Sequence, residues 1–420
     1  LDPLHPADVA YILEALPLAP RLVVWDLVKA DRDGDILLEV SDAVRETLIE
    51  HMDDHELVAA TGQLEADEIA DLAPDLPSEV IEDVFKLLPP EEREQLREAM
   101  SYSEGTVGAL MDFDMVQIRE DVTLEVVLRY LRRLDELPDH TDLLFVVDRA
   151  EQLKGLVPIN RLLVTDPDVV VAEVMTRDFV RFNADDEAAD AAAAFERYDL
   201  VSAPVVDDAG ALVGRMTVNA VVDFMREKTD SEMLSAGGLR EDEDIFASVW
   251  KSVQNRWAWL AINLITAFAA SRVIGLFEGS IGKLVALAAL MPIVAGIGGN
   301  SGNQTTTMIV RALALGQITR ANASKLFIKE LSVSALNGLI WGGVVGIFAF
   351  VIYHNWQLGL VMMMAMVLNL LLAAFMGVLI PMAMDKMGRD PAVGSSVMIT
   401  AITDSGGFFI FLGLATLFLV

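Results

Sequence analysis

Apolar positions divide the chain into two halves with different patterns. In the first hundred residues they recur at spacings of three and four, and the runs end at prolines such as Pro17, Pro77 and Pro89. This pattern predicts a stack of short helical hairpins. In the second half the apolar runs reach the length of about 20 residues that a bilayer-spanning helix requires. We therefore predict five spans, at about 257–277, 284–310, 331–353, 358–384 and 392–420.

Between these halves, residues 104–226 contain an internal repeat with an offset of about sixty residues. The run Phe145–Asp148 returns as 203–207, and Leu153–Val157 returns as Leu212–Met216. Each unit has strand-like runs, a turn after an aspartate, a glycine and then a helix. The repeat resembles a tandem pair of CBS domains, which implies a regulatory role, dimerisation and ATP as a candidate ligand. Two unrelated α/β modules are the alternative.

The charge of the chain is concentrated in its first part. The whole sequence has 31 basic and 63 acidic residues, whereas residues 256–420 have nine basic and five acidic ones, so residues 1–255 carry a net charge of −36. Such a surface repels phosphate backbones, so we expect no nucleic-acid partner. Without cysteine the chain cannot form disulfides or thiolate metal sites. Its carboxylates suit hard cations such as Mg²⁺, although most of them are expected to be simply solvated.

The basic residues of the second half predict its orientation in the membrane. Four of them fall in the predicted loop 311–330, and Lys386 and Arg389 fall in a second loop on the same side. By the positive-inside rule this side is cytoplasmic. We expect a multi-pass protein of the plasma (bacterial inner) membrane, in contact with lipid, with its N-terminal half in the cytoplasm and its C-terminus outside. The first residues run directly into a helical pattern, so we expect no signal peptide.

Two features inside the spans point to ion transport. The segment 292–304 is rich in glycine and amides, and it predicts a broken helix that lines a polar cavity; a small-residue packing seam is the alternative. Its candidate residues are Gly298, Gly299, Asn300, Gly302, Asn303 and Gln304. Asp404 lies deep in the last span, where a charge usually marks a pathway. Thr400 and Ser396 precede it on the same helical face, as in the lining of a cation path.

These motifs together resemble the MgtE family of magnesium channels. The segments that carry the resemblance are GGNSGNQ at 298–304, RALA at 311–314, FIKE at 327–330, Asp390-Pro391 and TDSG at 403–406. The resemblance implies a multidomain α-helical membrane protein with a helical N domain at 1–103, a superhelix of short helices. It further implies an α+β tandem CBS pair at 104–226, a connecting plug helix at 227–256 and a five-helix transmembrane domain at 257–420. It also implies a homodimer in which Asp404 of both subunits binds hydrated Mg²⁺.

The resemblance extends to cytoplasmic Mg²⁺ sites only in part. Matching acidic positions are Asp67, Asp71, Asp199, Asp223 and Glu232, with Asp35 as a looser match. Other acidic positions of the family are replaced by Asn219, Ala220, Arg226, Lys228 and Ser231, which predicts weaker bridging by Mg²⁺. The implied function is a Mg²⁺-selective channel gated by cytoplasmic Mg²⁺. The sequence has no P-loop motif, and Asp404 has no candidate catalytic partner nearby, so we do not expect an enzyme. A CBS-regulated carrier for another divalent cation, Co²⁺ or Mn²⁺, remains the alternative, because these ions also accept oxygen ligands.

Overall fold

The structure is a computed structural model that describes residues 1, 3–134, 136–239, 244–314, 316–319, 321–389, 391–392 and 394–420. The chain forms two compact units, one of Leu1–Thr229 with Asp244–Ala247 and one of Asp230–Glu243 with Ser248–Val420. Parts of three predicted features lie outside the described residues: the acidic stretch 241–243, the basic Arg320 and Asp390 of the Asp-Pro motif.

The first hundred residues form short helices, as their pattern predicts. The helices are α1 (Pro6–Glu14), α2 (Leu18–Trp25), α3 (Asp33–Glu39), α4 (Asp42–Ile49), α5 (Asp54–Thr61), α6 (Ala66–Leu72), α7 (Ser78–Leu87) and α8 (Pro90–Ala99). Pro17, Pro77 and Pro89 each directly precede a helix, because proline ends the preceding element and its fixed φ suits a helix start. The apolar face of each helix enters a common core that includes Leu13 and Leu72.

The internal repeat folds into two three-stranded sheets of matching topology. Their elements are β1 (Gln117–Arg119), α9 (Leu124–Leu131), β2 (Leu143–Val147), β3 (Leu153–Pro158), α10 (Ile159–Val164), α11 (Val171–Val174), β4 (Phe182–Asn183), α12 (Ala188–Tyr198), β5 (Ser202–Val206) and β6 (Leu212–Thr217). In each sheet the middle strand pairs with one parallel and one antiparallel neighbour. A register shift recurs at equivalent places, after Val146 and after Val205. The α+β repeat inferred from the sequence is thus present in both copies.

The connector differs from the single helix expected at 227–256. Helix α13 (Val218–Ala236) begins directly after β6, and the next long helix, α14, already begins at Val249. Between them, Asp244 packs into the N-terminal helices, where Nη1 of Arg21 lies 2.7 Å from its Oδ2. Arg21 is fully buried and also donates to the Leu13 carbonyl at 3.0 Å. A buried ion pair therefore joins residues that are 223 positions apart.

The second unit consists of long helices. They are α14 (Val249–Gly275), the short α15 (Glu278–Lys283), α16 (Ala286–Ala314), α17 (Ala323–Tyr353), α18 (Trp356–Lys386) and α19 (Ser395–Phe418). Among the described residues, four of them, α14, α17, α18 and α19, are long and apolar enough to cross a membrane. Helix α16 is equally long, but its glycines, amides and hydroxyls make it more polar.

Two expectations for this unit are wrong. Helix α16 continues through Pro292 and the glycine-rich segment, so the predicted break is not present. The predicted loop 311–330 is largely helical, because α16 extends to Ala314 and α17 begins at Ala323. Glu330 therefore lies inside a helix, where it is 5% exposed.

Helices α17 and α18 form an antiparallel hairpin with a glycine seam. Gly338, Gly342 and Gly346 follow one another at four-residue spacing on α17. A methyl group at Gly338 would lie 2.8 Å from Cα of Val367, and one at Gly346 would lie 2.6 Å from the Gly359 carbonyl. The two backbones are in direct contact along this seam, which only glycine permits.

Candidate functional site

An acidic pocket in the first unit collects carboxylates from the N-terminal helices, the CBS repeat and α13. Its volume is about 780 Å³. Of the described residues that line it, ten are acidic, and one, Arg215, is basic. The acidic residues are Glu65, Asp67, Glu68, Asp71, Asp112, Asp114, Glu136, Asp139, Asp223 and Glu227. A surface with this excess of negative charge attracts cations.

Three of these side chains converge closely enough to share a metal ion. Glu65 immediately precedes α6, and Asp67 lies in its first turn. Asp112 reaches the same place because its backbone pairs with Arg215 on β6, with N–H···O distances of 2.8 and 2.9 Å. Carboxylate oxygens of the three residues all lie within 4.8 Å of one another. An all-oxygen donor set of this kind fits a hard cation such as Mg²⁺ or Ca²⁺.

Arg215 holds one member of this trio in place. Its guanidinium donates to Oδ2 of Asp112 from Nε at 2.8 Å and from Nη2 at 2.7 Å. A third bond, from Nη2 to the Asp139 carbonyl, is 2.8 Å long. The side chain of Arg215 is nearly buried, so its geometry is fixed. It therefore supplies a permanent positive charge that offsets part of the repulsion in the pocket.

The environment of the pocket raises the pKa of several of its carboxyl groups. Burial, and secondarily the charge of Asp112, raises the pKa of Asp67 to about 7. Partial burial and the nearby Asp114 raise the pKa of Glu65 to about 7. The pKa of Asp71 is also raised by burial, which Arg45 opposes and Asp223 reinforces. A cation that replaces these protons would be bound more tightly as the carboxyl groups ionise.

The cytoplasmic residues proposed from the sequence do not all meet in this pocket. Asp67, Asp71 and Asp223 line it together. Asp199 is exposed at the end of α12, where its φ of 51° is left-handed, and Glu232 is exposed on the part of α13 that belongs to the second unit. Asp35 is exposed on α3, where its charge raises the pKa of Glu68 as a contribution secondary to burial.

In the second unit, the proposed pore residues share faces of α16 and α19. Asp404 is half-buried on α19, and Thr400 is exposed one turn earlier, with its Oγ1 donating to the Ser396 carbonyl at 2.9 Å. Asn300 and Gln304 are exposed one turn apart on α16. Exposed amides are costly beside lipid, so this polar stripe requires water or protein against it.

The opposite face of α16 is a packing seam. Gly298, Gly299 and Gly302 are buried, and a methyl group at Gly302 would lie 2.5 Å from Cγ2 of Ile399 on α19. Asn303 is half-buried, and its Oδ1 is buried without a hydrogen-bond partner among the described residues. The segment therefore combines both interpretations offered by the sequence: its glycines pack, while Asn300 and Gln304 form a polar face.

Several polar residues at these sites were missed by sequence reasoning. Asp112 and Arg215 are 103 positions apart, and nothing in their local pattern predicts that they pair. Glu330 was placed at a loop boundary, yet it is buried beside Thr305, whose Oγ1 lies 3.5 Å from its Oε2. Asn369 did leave a signal, because it is a lone amide in the middle of the apolar helix α18.

Comparison with known proteins gives three matches along the chain. The MgtE family, described as a divalent cation transporter, matches residues 291–414, and the MgtE intracellular N domain matches 4–105. Together these two span more than half of the chain. The CBS domain family matches residues 171–227.

Relatives of known name and solved structures are also similar to this chain. The magnesium transporter MgtE of Thermus thermophilus is 29% identical over 428 residues, covering 100% of this chain and 94% of the relative. That of Bacillus subtilis is 24% identical, covering 100% and 93%. A crystal structure of the soluble part of a magnesium transporter is 21% identical, with a TM-score of 0.47, and covers 54% of this chain and 89% of that chain. The cytosolic domain of the Mg²⁺ channel MgtE in complex with ATP is 28% identical, with a TM-score of 0.40 and coverage of 51% and 93%.

Proposed function

This chain belongs to the MgtE family of divalent cation transporters, and from that premise we propose that it is a Mg²⁺-selective channel gated by Mg²⁺ on its cytoplasmic side. The family resemblance inferred from the motifs is confirmed, and the protein is a membrane transporter and not an enzyme. Selectivity, gating, the dimer and the individual site residues are our proposals.

The proposed pore follows the polar faces of α16 and α19. Asp404 supplies the negative charge, and Thr400 and Ser396 continue the polar face along the same helix. Because Asn300 and Gln304 are exposed in a single chain, a second copy related by a two-fold axis would enclose the path and remove these amides from lipid. Two Asp404 carboxylates would then face a hydrated Mg²⁺, because this ion gives up its bound water reluctantly.

The observation that carries the gating proposal is the acidic pocket. Glu65, Asp67 and Asp112 would hold a Mg²⁺ ion between an N-terminal helix and the CBS repeat. At the upper separation of 4.8 Å and an effective dielectric constant of about 20, two ionised carboxylates repel each other by about 3.5 kcal/mol. A bound cation removes this repulsion and favours the closely packed arrangement. A gate changes from mostly open to mostly closed with about 5.5 kcal/mol of differential binding.

The response to Mg²⁺ is expected to be shallow in this chain. Arg215 already neutralises part of the pocket, and Arg226 and Lys228 stand where the family resemblance implies acidic residues. Fewer ionised pairs then remain for Mg²⁺ to bridge. Asp199, Glu232 and Asp35 would add weaker, exposed sites, since exposed charges are screened by solvent.

Orientation and nucleotide binding complete the proposal. The described basic residues Arg311, Lys325 and Lys329 lie near the facing ends of α16 and α17, and Lys386 ends α18. This distribution supports a cytoplasmic location for these ends and an external C-terminus. ATP binding at the CBS pair remains a prediction from the CBS resemblance, and titration of the full chain with ATP tests it directly.

Ion flux into liposomes tests the transport proposal. We expect Mg²⁺ to permeate well above Ca²⁺, Mn²⁺ and Co²⁺, and Asp404→Asn to abolish selective permeation while the dimer still assembles. Asp404→Glu, which retains the charge, is the matched variant. Equal or preferred flux of Co²⁺ or Mn²⁺ would favour the alternative carrier, and unchanged selectivity in well-folded Asp404→Asn would remove Asp404 from the pore.

The gating proposal requires its own measurement. Asp67→Asn should raise the cytoplasmic Mg²⁺ concentration that closes the channel, because it removes a ligand from the trio. Asp8→Asn is the control, since Asp8 is an exposed acidic residue of α1 that does not line the pocket. If both variants, or neither, shift the closing concentration, the pocket is not the sensor.

A further inference from the structure

Asn369 is a buried amide at the place where three helices of the membrane unit meet. It lies on α18 and is fully buried. Its Nδ2 donates to the Val294 carbonyl of α16 at 2.9 Å. Its Oδ1 is buried and has no hydrogen-bond partner among the described residues. The amide is thus half satisfied, in a helix whose interior is otherwise apolar.

Two glycines on the neighbouring helices make room for this amide. A methyl group at Gly407 of α19 would lie 2.7 Å from Nδ2 of Asn369. A methyl group at Gly298 of α16 would collide with the same nitrogen. The amide therefore fills the space between α16 and α19, and its size and direction set the separation of their backbones at this level.

This level is adjacent to the proposed pore carboxylate. Gly407 follows Asp404 by three positions, which is less than one helical turn. Thr403, which directly precedes Asp404, is fully buried, and its Oγ1 would lie 3.7 Å from a methyl group at Gly299 of α16. The contacts on both sides of Asp404 thus fix α19 against α16, and Asn369 supplies one of them.

Packing alone does not explain an amide at this position. A buried polar atom left without a partner is destabilising, and leucine has the same branched skeleton of heavy atoms without that penalty. A buried polar group that is kept at such a cost often specifies one arrangement of the helices among several. The cost of Asn369 Oδ1 therefore points to a requirement other than stability.

From this geometry we propose that Asn369 is a positioning residue for the pore: by bonding Val294 and occupying the space between Gly298 and Gly407, it sets the distance of Asp404 from the α16 face. The inference rests on the proposed pore at Asp404. Because a hydrated cation is held by a matched cavity, a change in this distance alters apparent affinity and selectivity before it alters assembly.

The test compares two substitutions on α18 in the full-length channel. Asn369→Leu keeps the branched skeleton of the side chain and removes the hydrogen bond to Val294. Leu370→Ala is the control, because Leu370 is a buried apolar neighbour that leaves the amide intact. Liposome flux gives the half-saturating Mg²⁺ concentration, the maximal rate and the Mg²⁺/Ca²⁺ selectivity, and thermal unfolding gives the stability of each protein.

We expect Asn369→Leu to shift half-saturation or selectivity about tenfold with an unchanged or higher unfolding temperature. We expect Leu370→Ala to lower the unfolding temperature with unchanged half-saturation and selectivity. Asn369→Ser, which retains a hydroxyl donor of smaller size, should lie between wild type and Asn369→Leu in flux. Normal half-saturation and selectivity in Asn369→Leu would overturn the proposal.

Two further variants keep the experiment decisive. If Asn369→Leu does not fold, Gly407→Ala displaces the same amide and should produce the same shift in half-saturation; normal flux in it would overturn the proposal. Asp404→Asn, measured in parallel, separates the two levels of inference. If the Asp404→Asn channel also conducts normally and selectively, the proposed pore is refuted. If Asp404→Asn loses selective conduction while the Asn369 variants conduct normally, only the positioning role is refuted.

Discussion

Binding of Mg²⁺ to the acidic pocket should weaken steeply as the pH falls from 8 to 6. The carboxyl groups of Asp67 and Glu65 have pKa values of about 7 in the absence of a cation. Mg²⁺ requires the ionised form, so below this pH each ion must displace protons, and above it the sites are already ionised. The sign is therefore fixed: affinity is high at pH 8 and low at pH 6.

The size of the effect follows from the two pKa values. For Asp67 alone, the ionised fraction falls about tenfold between pH 8 and pH 6, which corresponds to about 1.4 kcal/mol of binding free energy. Glu65 is more exposed than Asp67, and screening by solvent reduces its contribution to the change in affinity. The apparent dissociation constant should accordingly rise by more than tenfold and by less than about 100-fold.

Calorimetric titration of the full chain with Mg²⁺ at pH 6, 7 and 8 measures this change. An Asp404→Asn background removes the proposed pore site, so that the heat reports the cytoplasmic half. Asp67→Asn should flatten the pH dependence, whereas Asp8→Asn, which changes an exposed carboxylate outside the pocket, should not. A dissociation constant that changes less than threefold over this range, or an unchanged slope in Asp67→Asn, would refute the assignment of these carboxylates as ligands.

Three other predictions concern stability and conduction. Arg21→Ala leaves Asp244 buried without its partner and should lower the free energy of unfolding by about 3–5 kcal/mol in denaturant titration, whereas loss of the exposed Lys86–Asp83 pair should have no measurable effect. Gly346→Ala should cost about 1–3 kcal/mol through overpacking, and Gly343→Ala, where a methyl group meets no atom within 4 Å, should not destabilise. Asn300→Leu and Gln304→Leu should reduce flux more than expression or dimerisation, because both amides are exposed; loss of assembly with normal conduction in the surviving protein would instead assign them to packing.

The fold was predictable where the sequence carries a local period. Proline-ended helices, the repeated strand runs and the long apolar segments each have a pattern that a single stretch of chain reveals. The glycine-rich segment was misread as a break because the same glycines serve a break or a close helix contact, and only the neighbouring Ile399 and Thr403 distinguish the two. Glu330 was misplaced because helix ends are weakly encoded.

The acidic pocket was predictable only in its N-terminal and α13 parts. Asp67, Asp71 and Asp223 match a family pattern. Asp112 and Arg215, in contrast, line the pocket because their backbones pair across the CBS repeat. Such a pairing depends on tertiary register, which no local motif specifies. Sequence composition therefore gave the sign of the surface charge, and the structure gave the three oxygens that converge.

The glycine seam between α17 and α18 has a mechanical consequence. Along it, backbone meets backbone, as where Gly346 lies against the Gly359 carbonyl, so no side-chain rotamers are available to absorb a sliding motion. The hairpin can therefore travel only as one stiff body. We therefore expect a rearrangement that opens or closes a path to occur where α16 and α19 contact the hairpin and each other, and not within the hairpin.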